Sequence, residues 1–192
     1  MIDALPFSTA LISTATVALA EIGDKTQLLA LLLAARFRRP WPIIAGIAVA
    51  TVLNHAVAAW AGSAVAVWLQ PDVLRWVVAA SFILVALWTL KPDTLDEDTP
   101  IATRSAFMAS TVAFFIAEIG DKTQIATVLL AARYVPLWEV VVGTTLGMLL
   151  ANVPVVLLGS RFANRLPLTA ARRTAAAVFL LIGLWVALRG LG

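Results

Sequence analysis

A chain of 192 residues that is 61% hydrophobic and only 13% charged, with a mean hydropathy of +0.95, does not belong with soluble globular domains. Its length allows about six membrane spans of ~20 residues each and no large extramembrane domain. Cysteine is absent, so disulfides and thiolate metal ligands are excluded and any metal must rely on oxygen donors or on the single histidine.

In chain order the apolar segments are Leu5 to Ala35, Trp41 to Leu69, Val73 to Leu90, Ser105 to Ala132, Val135 to Leu158 and Ala170 to Leu188. Proline and charge punctuate the breaks, as at Arg38-Arg39-Pro40, Gln70-Pro71-Asp72, Lys91-Pro92-Asp93 and Arg161 to Pro167. Six transmembrane helices are therefore expected, in an all-α polytopic membrane protein that has membrane lipid as a partner. The N-terminal segment has neither a basic n-region nor a clear small-residue cleavage site, so no cleaved leader is expected. The basic residues lie in short loops between apolar segments, where they orient a membrane protein, so the pI near 10 does not point to nucleic acid.

An offset of 97 residues aligns the two halves without a gap, and Ser13 to Arg36 matches Ser110 to Arg133 at 15 of 24 positions. The same offset pairs Trp41 with Trp138, Gly46 with Gly143, Phe82 with Phe179, and Leu87-Trp88 with Leu184-Trp185. The single transmembrane domain, residues 1–192, thus divides into repeat one (about 5–90), an acidic linker (about 91–104) and repeat two (about 105–188). Because each repeat carries three helices, the second must enter the membrane from the opposite side, and the repeats are expected to be inverted. Transporters with two such halves place a site between them and rock to alternate access.

Lysine and arginine in the loops set the orientation. The first, third and fifth loops hold nine (Arg36, Arg38, Arg39, Lys91, Arg104, Arg161, Arg165, Arg172 and Arg173), against three on the other side (Arg75, Arg133 and Arg189). The odd-numbered loops should face the cytoplasm and both termini should lie outside. Trp41, Trp68, Trp76 and Trp138, near segment ends, read as interfacial anchors.

The stretch AEIGDKTQ occurs twice, at Ala20 to Gln27 and Ala117 to Gln124. Glu21 lies 15 residues after Pro6 and 15 before Arg36, and Glu118 lies 14 after Arg104 and 15 before Arg133, so both glutamates should sit near mid-membrane. Charge at that depth is expensive and marks an ion pathway. On a regular helix Glu21, Asp24 and Lys25 share a face with Thr14, as do Glu118, Asp121, Lys122 and Thr111. Thr26 and Gln27, like Thr123 and Gln124, fall off that face. Either they contact a neighbouring helix, or the helix is unwound near Gly23 and Gly120 so that these side chains also reach the site.

The four carboxylates Glu21, Asp24, Glu118 and Asp121 are the candidate metal ligands. With Lys25 and Lys122 they carry a net charge of minus two, which one divalent cation would neutralise. Calcium and manganese, as hard cations, suit such oxygen donors. Protons could replace the metal on the carboxylates, which is the chemistry of a cation/proton antiporter. Lysine, threonine and glutamine of each motif are read as supporting or proton-coupling groups, together with Asn54, His55 and Asn152. His55 is a candidate ligand or proton relay, with a hydrogen bond across helices as the alternative. Ser13 and Ser110 read as close-packing positions.

EIGDKTQ in the first and fourth helices resembles the Glu-x-Gly-Asp-Lys/Arg-Thr/Ser signature of the Gdt family of membrane cation/proton exchangers, in the lysine-exporter superfamily. The resemblance covers nearly the whole chain. It implies export of manganese, or calcium in some members, from the cytosol in exchange for protons, with Glu21, Gly23, Asp24, Lys25, Thr26 and Glu118, Gly120, Asp121, Lys122, Thr123 in the cation pathway. The short central loop implies a prokaryotic inner-membrane form. No cofactor and no enzymatic activity are expected. The rival readings are an exporter of a cationic amino acid, which the net acidic cluster disfavours, and a cation channel or uniporter.

Overall fold

The computed structural model describes residues 8–91, 105–159 and 168–190. The acidic linker from Pro92 to Arg104, and Pro6, Arg161 and Arg165, lie outside the described residues. Among the described residues there are eight α-helices and no strands: α1 (Ser8–Glu21), α2 (Lys25–Phe37), α3 (Pro40–Trp68), α4 (Pro71–Thr89), α5 (Ala106–Glu118), α6 (Lys122–Arg133), α7 (Leu137–Leu158) and α8 (Leu168–Arg189). Three of them, α3, α4 and α7, are long and apolar enough to cross a membrane.

The helix boundaries follow from the punctuation in the sequence. Pro40 and Pro71 open α3 and α4, where the missing N–H costs nothing and the fixed φ is already helical. Arg38, in the left-handed conformation with φ 52°, ends α2 while its N–H donates to the Ala34 carbonyl. The first and fourth apolar segments depart from a single helix each. Both are divided, α1 from α2 and α5 from α6, at the glycine-aspartate pair of the repeated motif. Gly23 and Gly120 take φ of 85° and 73°, a region that only glycine enters readily, and this turns the chain out of the helix.

At Gly120 a Cβ would meet no atom within 4 Å, so the conformation and not the space demands glycine. Gly120→Ala should accordingly destabilise the protein by roughly 1–2 kcal/mol. Thermal unfolding in detergent measures this, and an unchanged melting temperature would mean that the break tolerates an ordinary residue.

The helices pack largely between halves. α1 lies along α7 and α3 along α5, α4 packs against α8, and α3 also contacts α6 and α7. Glycine makes close helix crossings possible at equivalent places in the two halves. A Cβ on Gly46 would fall 2.7 Å from both the Phe107 carbonyl and Ser110 Cβ of α5, and one on Gly143 would fall 2.8 Å from Ser13 Cβ of α1. Gly46 and Gly143 are equivalent positions of the repeats, and so are Ser110 and Ser13. Both serines are fully buried, as close packing requires. Between α4 and α8 the equivalent Phe82 and Phe179 stack on each other with ring centroids 6.1 Å apart. Trp41, Trp68, Trp76 and Trp138 are all largely exposed at helix ends.

Candidate cation site

The two breaks are built alike. After α1 the Asp24 N–H donates to the Glu21 carbonyl at 3.0 Å, and after α5 the Asp121 N–H donates to the Glu118 carbonyl at 3.1 Å. The chain then restarts with aspartate as N-cap of α2 and of α6, where the helix dipole favours a negative charge. The Asp24 carboxylate accepts from the Thr26 N–H at 3.4 Å. The two glutamines span the breaks: Gln27 Oε1 accepts from the Gly23 N–H at 2.8 Å and Gln124 Oε1 from the Gly120 N–H at 2.7 Å.

This geometry settles the question left open by Thr26, Gln27, Thr123 and Gln124. The helices are broken, so the shared face that would align Glu21, Asp24 and Lys25 with Thr14 does not exist. Thr14 donates instead to the Ala10 and Gly143 carbonyls at 2.7 and 3.0 Å, and Thr111 to the Phe107 carbonyl at 2.9 Å. Across each break the threonine hydroxyl reaches the glutamate: Thr26 donates to Glu21 Oε2, and Thr123 to Glu118 Oε2 at 3.1 Å. Gln27 also contacts a neighbouring helix, donating to the Ala151 carbonyl of α7 at 3.0 Å. Gln124 Nε2 lies 3.5 Å from Asn54 Oδ1 of α3.

Glu21, Glu118 and Asp121 converge. Each offers a carboxylate oxygen, and the three oxygens lie within 4.8 Å of one another with all three side chains buried. Ligands of a hard cation stand ~2.0–2.6 Å from it, so two of them can be up to ~5 Å apart. The cluster therefore fits one such ion. Glu21 Oε1 and Glu118 Oε1 are buried with no hydrogen-bond partner among the described residues, an expensive condition for a carboxylate oxygen unless a cation or a proton occupies the cluster.

Asp24, the fourth carboxylate of the sequence reading, stands outside this triad. Its Oδ1 pairs with Lys122 Nζ, and in the reciprocal pair Lys25 Nζ lies 3.4 Å from Asp121 Oδ1. Each lysine thus neutralises the aspartate of the opposite motif. Spacing within one motif gives no hint of this exchange.

The flanking groups differ between the halves. Asn152 of α7 donates from Nδ2 to the Met148 carbonyl at 3.1 Å and lies 3.4 Å from Glu21 Oε2. At the equivalent place on α3, His55 Nε2 lies 3.8 Å from Glu118 Oε2. Asn54 donates to the Phe115 carbonyl of α5 at 3.1 Å, tying α3 to the end of α5. The Ala151 carbonyl escaped the sequence reading because a backbone acceptor leaves no side-chain signal. Met148, whose sulfur lies 3.0 Å from Asn152 Nδ2, escaped it because one methionine in an apolar helix looks like core.

The profile of the family described as "Divalent cation/proton antiporter GDT1" matches residues 9–97 and 106–192. A protein of Vibrio cholerae serotype O1 named "Putative manganese exporter" is 60% identical over 174 residues, covering 90% of this chain and 87% of its own. A GDT1-like protein of Synechocystis sp. is 27% identical over 175 residues, covering 78% of this chain and 82% of its own. No solved structure matches the chain.

Proposed function

Since the chain belongs to the GDT1 family of divalent cation/proton antiporters, we propose that it exports manganese from the cytosol in exchange for protons, through the carboxylate cluster at the two helix breaks. Manganese is favoured as cargo by the name of the 60% identical Vibrio relative, with calcium as the second cation the oxygen donors would accept. The observation that carries the reading is the meeting of Glu21, Glu118 and Asp121 within 4.8 Å, in the interior and from both repeats.

The membrane arrangement belongs to the same proposal. α1 with α2, and α5 with α6, each form one broken span, giving six spans in two inverted three-helix repeats joined by the acidic linker. Packing between equivalent elements supports it, since α1 on α7 is mirrored by α5 on α3 and α4 meets α8. The loop charges then place the odd-numbered loops in the cytoplasm and both termini outside, in a prokaryotic inner membrane.

Proton exchange follows from charge. When a divalent ion leaves a net acidic, buried cluster, the carboxylates would return uncompensated, at several kcal/mol per ion. Protons on Glu21 and Glu118 remove that obstacle. Asp24 and Asp121 keep their lysine partners. Both ammonium groups face aspartates, which argues against a site for the carboxylate of an exported amino acid.

In reconstituted vesicles with an acidic lumen, manganese should accumulate inside against its own gradient as protons leave. Added manganese should release protons from the lumen when no pH gradient is imposed. Flux that ignores the pH gradient and follows membrane potential alone would identify a channel or uniporter and end the exchange proposal.

A further inference from the structure

We propose that His55 is a nitrogen ligand of the transported cation and sets the preference for manganese over calcium and magnesium. The inference rests on the carboxylate cluster being the cation site and goes beyond it by assigning a residue outside the repeated motif. His55 is the only histidine of the chain, and its ring is completely buried on α3. Neither ring nitrogen has a hydrogen-bond partner among the described residues, so a hydrogen bond across helices does not account for it. A buried polar group left in that condition is costly and calls for an occupant.

The separation supports a shared ion. Nε2 stands 3.8 Å from Glu118 Oε2, which is beyond hydrogen-bond length and within the ~5 Å that two ligands of one cation can span. Glu118 also belongs to the triad with Glu21 and Asp121, and His55 stands beside the cluster at its Glu118 corner, outside the 4.8 Å that holds the three carboxylates together. Repeat two has Asn152 at the equivalent position, beside Glu21. The nitrogen donor is therefore present on one side only.

Donor chemistry gives the direction of the selectivity. Carboxylates accept magnesium, calcium and manganese alike; a nitrogen donor adds affinity for first-row divalent metals, manganese the weakest-binding of them, that calcium and magnesium, bound through oxygen, do not share. One imidazole among carboxylates discriminates where the carboxylates alone cannot.

The test uses the full-length protein, purified without a polyhistidine tag and loaded with Mn2+. Pulsed electron paramagnetic resonance should show imidazole nitrogen coupled to the manganese, with a signal that changes when histidine alone is labelled with 15N. In transport assays His55→Asn should lower the preference for manganese over calcium by about tenfold or more. Mn2+ bound without nitrogen coupling would overturn the role of His55 and leave the carboxylate site standing. Failure of the protein to bind Mn2+ at all would remove both.

Discussion

Glu21→Gln and Glu118→Gln should each reduce manganese flux in reconstituted vesicles by more than about a hundredfold. Loss of a group that merely orients a ligand already costs roughly 10–100-fold in metal affinity, and a charged ligand contributes more. Glutamine keeps the size of the side chain and an oxygen for Thr26 or Thr123 to donate to, so the geometry of the break is preserved while one negative charge is lost. Folding should not suffer, because both glutamates are fully buried and removing a charge eases burial. The measurement is therefore paired: radiolabelled manganese flux, and thermal unfolding of the same preparation. A variant that keeps half the wild-type flux would show that its glutamate does not hold the ion.

The second large effect concerns stability. Lys122 is 1% exposed and Lys25 is 24% exposed, so the Lys122–Asp24 pair is the one shielded from water. Lys122→Met deprives a buried aspartate of its ammonium partner, a change that costs roughly 3–5 kcal/mol when only one member of a buried pair is removed. Asp24→Asn combined with Lys122→Met should recover most of that loss, since no charge then needs a partner. Lys25→Met should cost less, because solvent reaches that pair. Melting temperatures of the three variants decide the matter. Equal losses for both lysines, or no recovery in the double variant, would mean that the pairing across repeats contributes little.

Much of this architecture is legible in the sequence. Proline, glycine and charge mark the helix ends to within a few residues, because each acts locally: Pro40 and Pro71 open helices, and the repeat at 97 residues identifies equivalent elements before any contact is known. The glutamates of the motif also declare themselves, since charge inside an apolar run has few explanations. The break at Gly23 and Gly120 is only half legible. Glycine permits a left-handed turn without requiring it, and the tertiary partners of Gln27 and Gln124 decide the outcome. The crossed lysine-aspartate pairs are not legible at all. Within each motif the lysine follows its own aspartate directly, which suggests a local pair, yet the break turns each lysine toward the other half. That exchange withdraws Asp24 to Lys122 and leaves Asp121 as the aspartate beside the glutamates.

The crossed pairs also bear on how such a chain could arise. Either half alone would bury an aspartate whose cation lies on a different polypeptide, so a protein of half this length could balance its charges only by associating with a copy of itself. Gene duplication and fusion of that dimer would need no new contact, because every lysine would already be facing the other copy's aspartate. Fusion would instead release the two copies from being identical. Positions 55 and 152, histidine in one half and asparagine in the other, differ in this way beside the two glutamates.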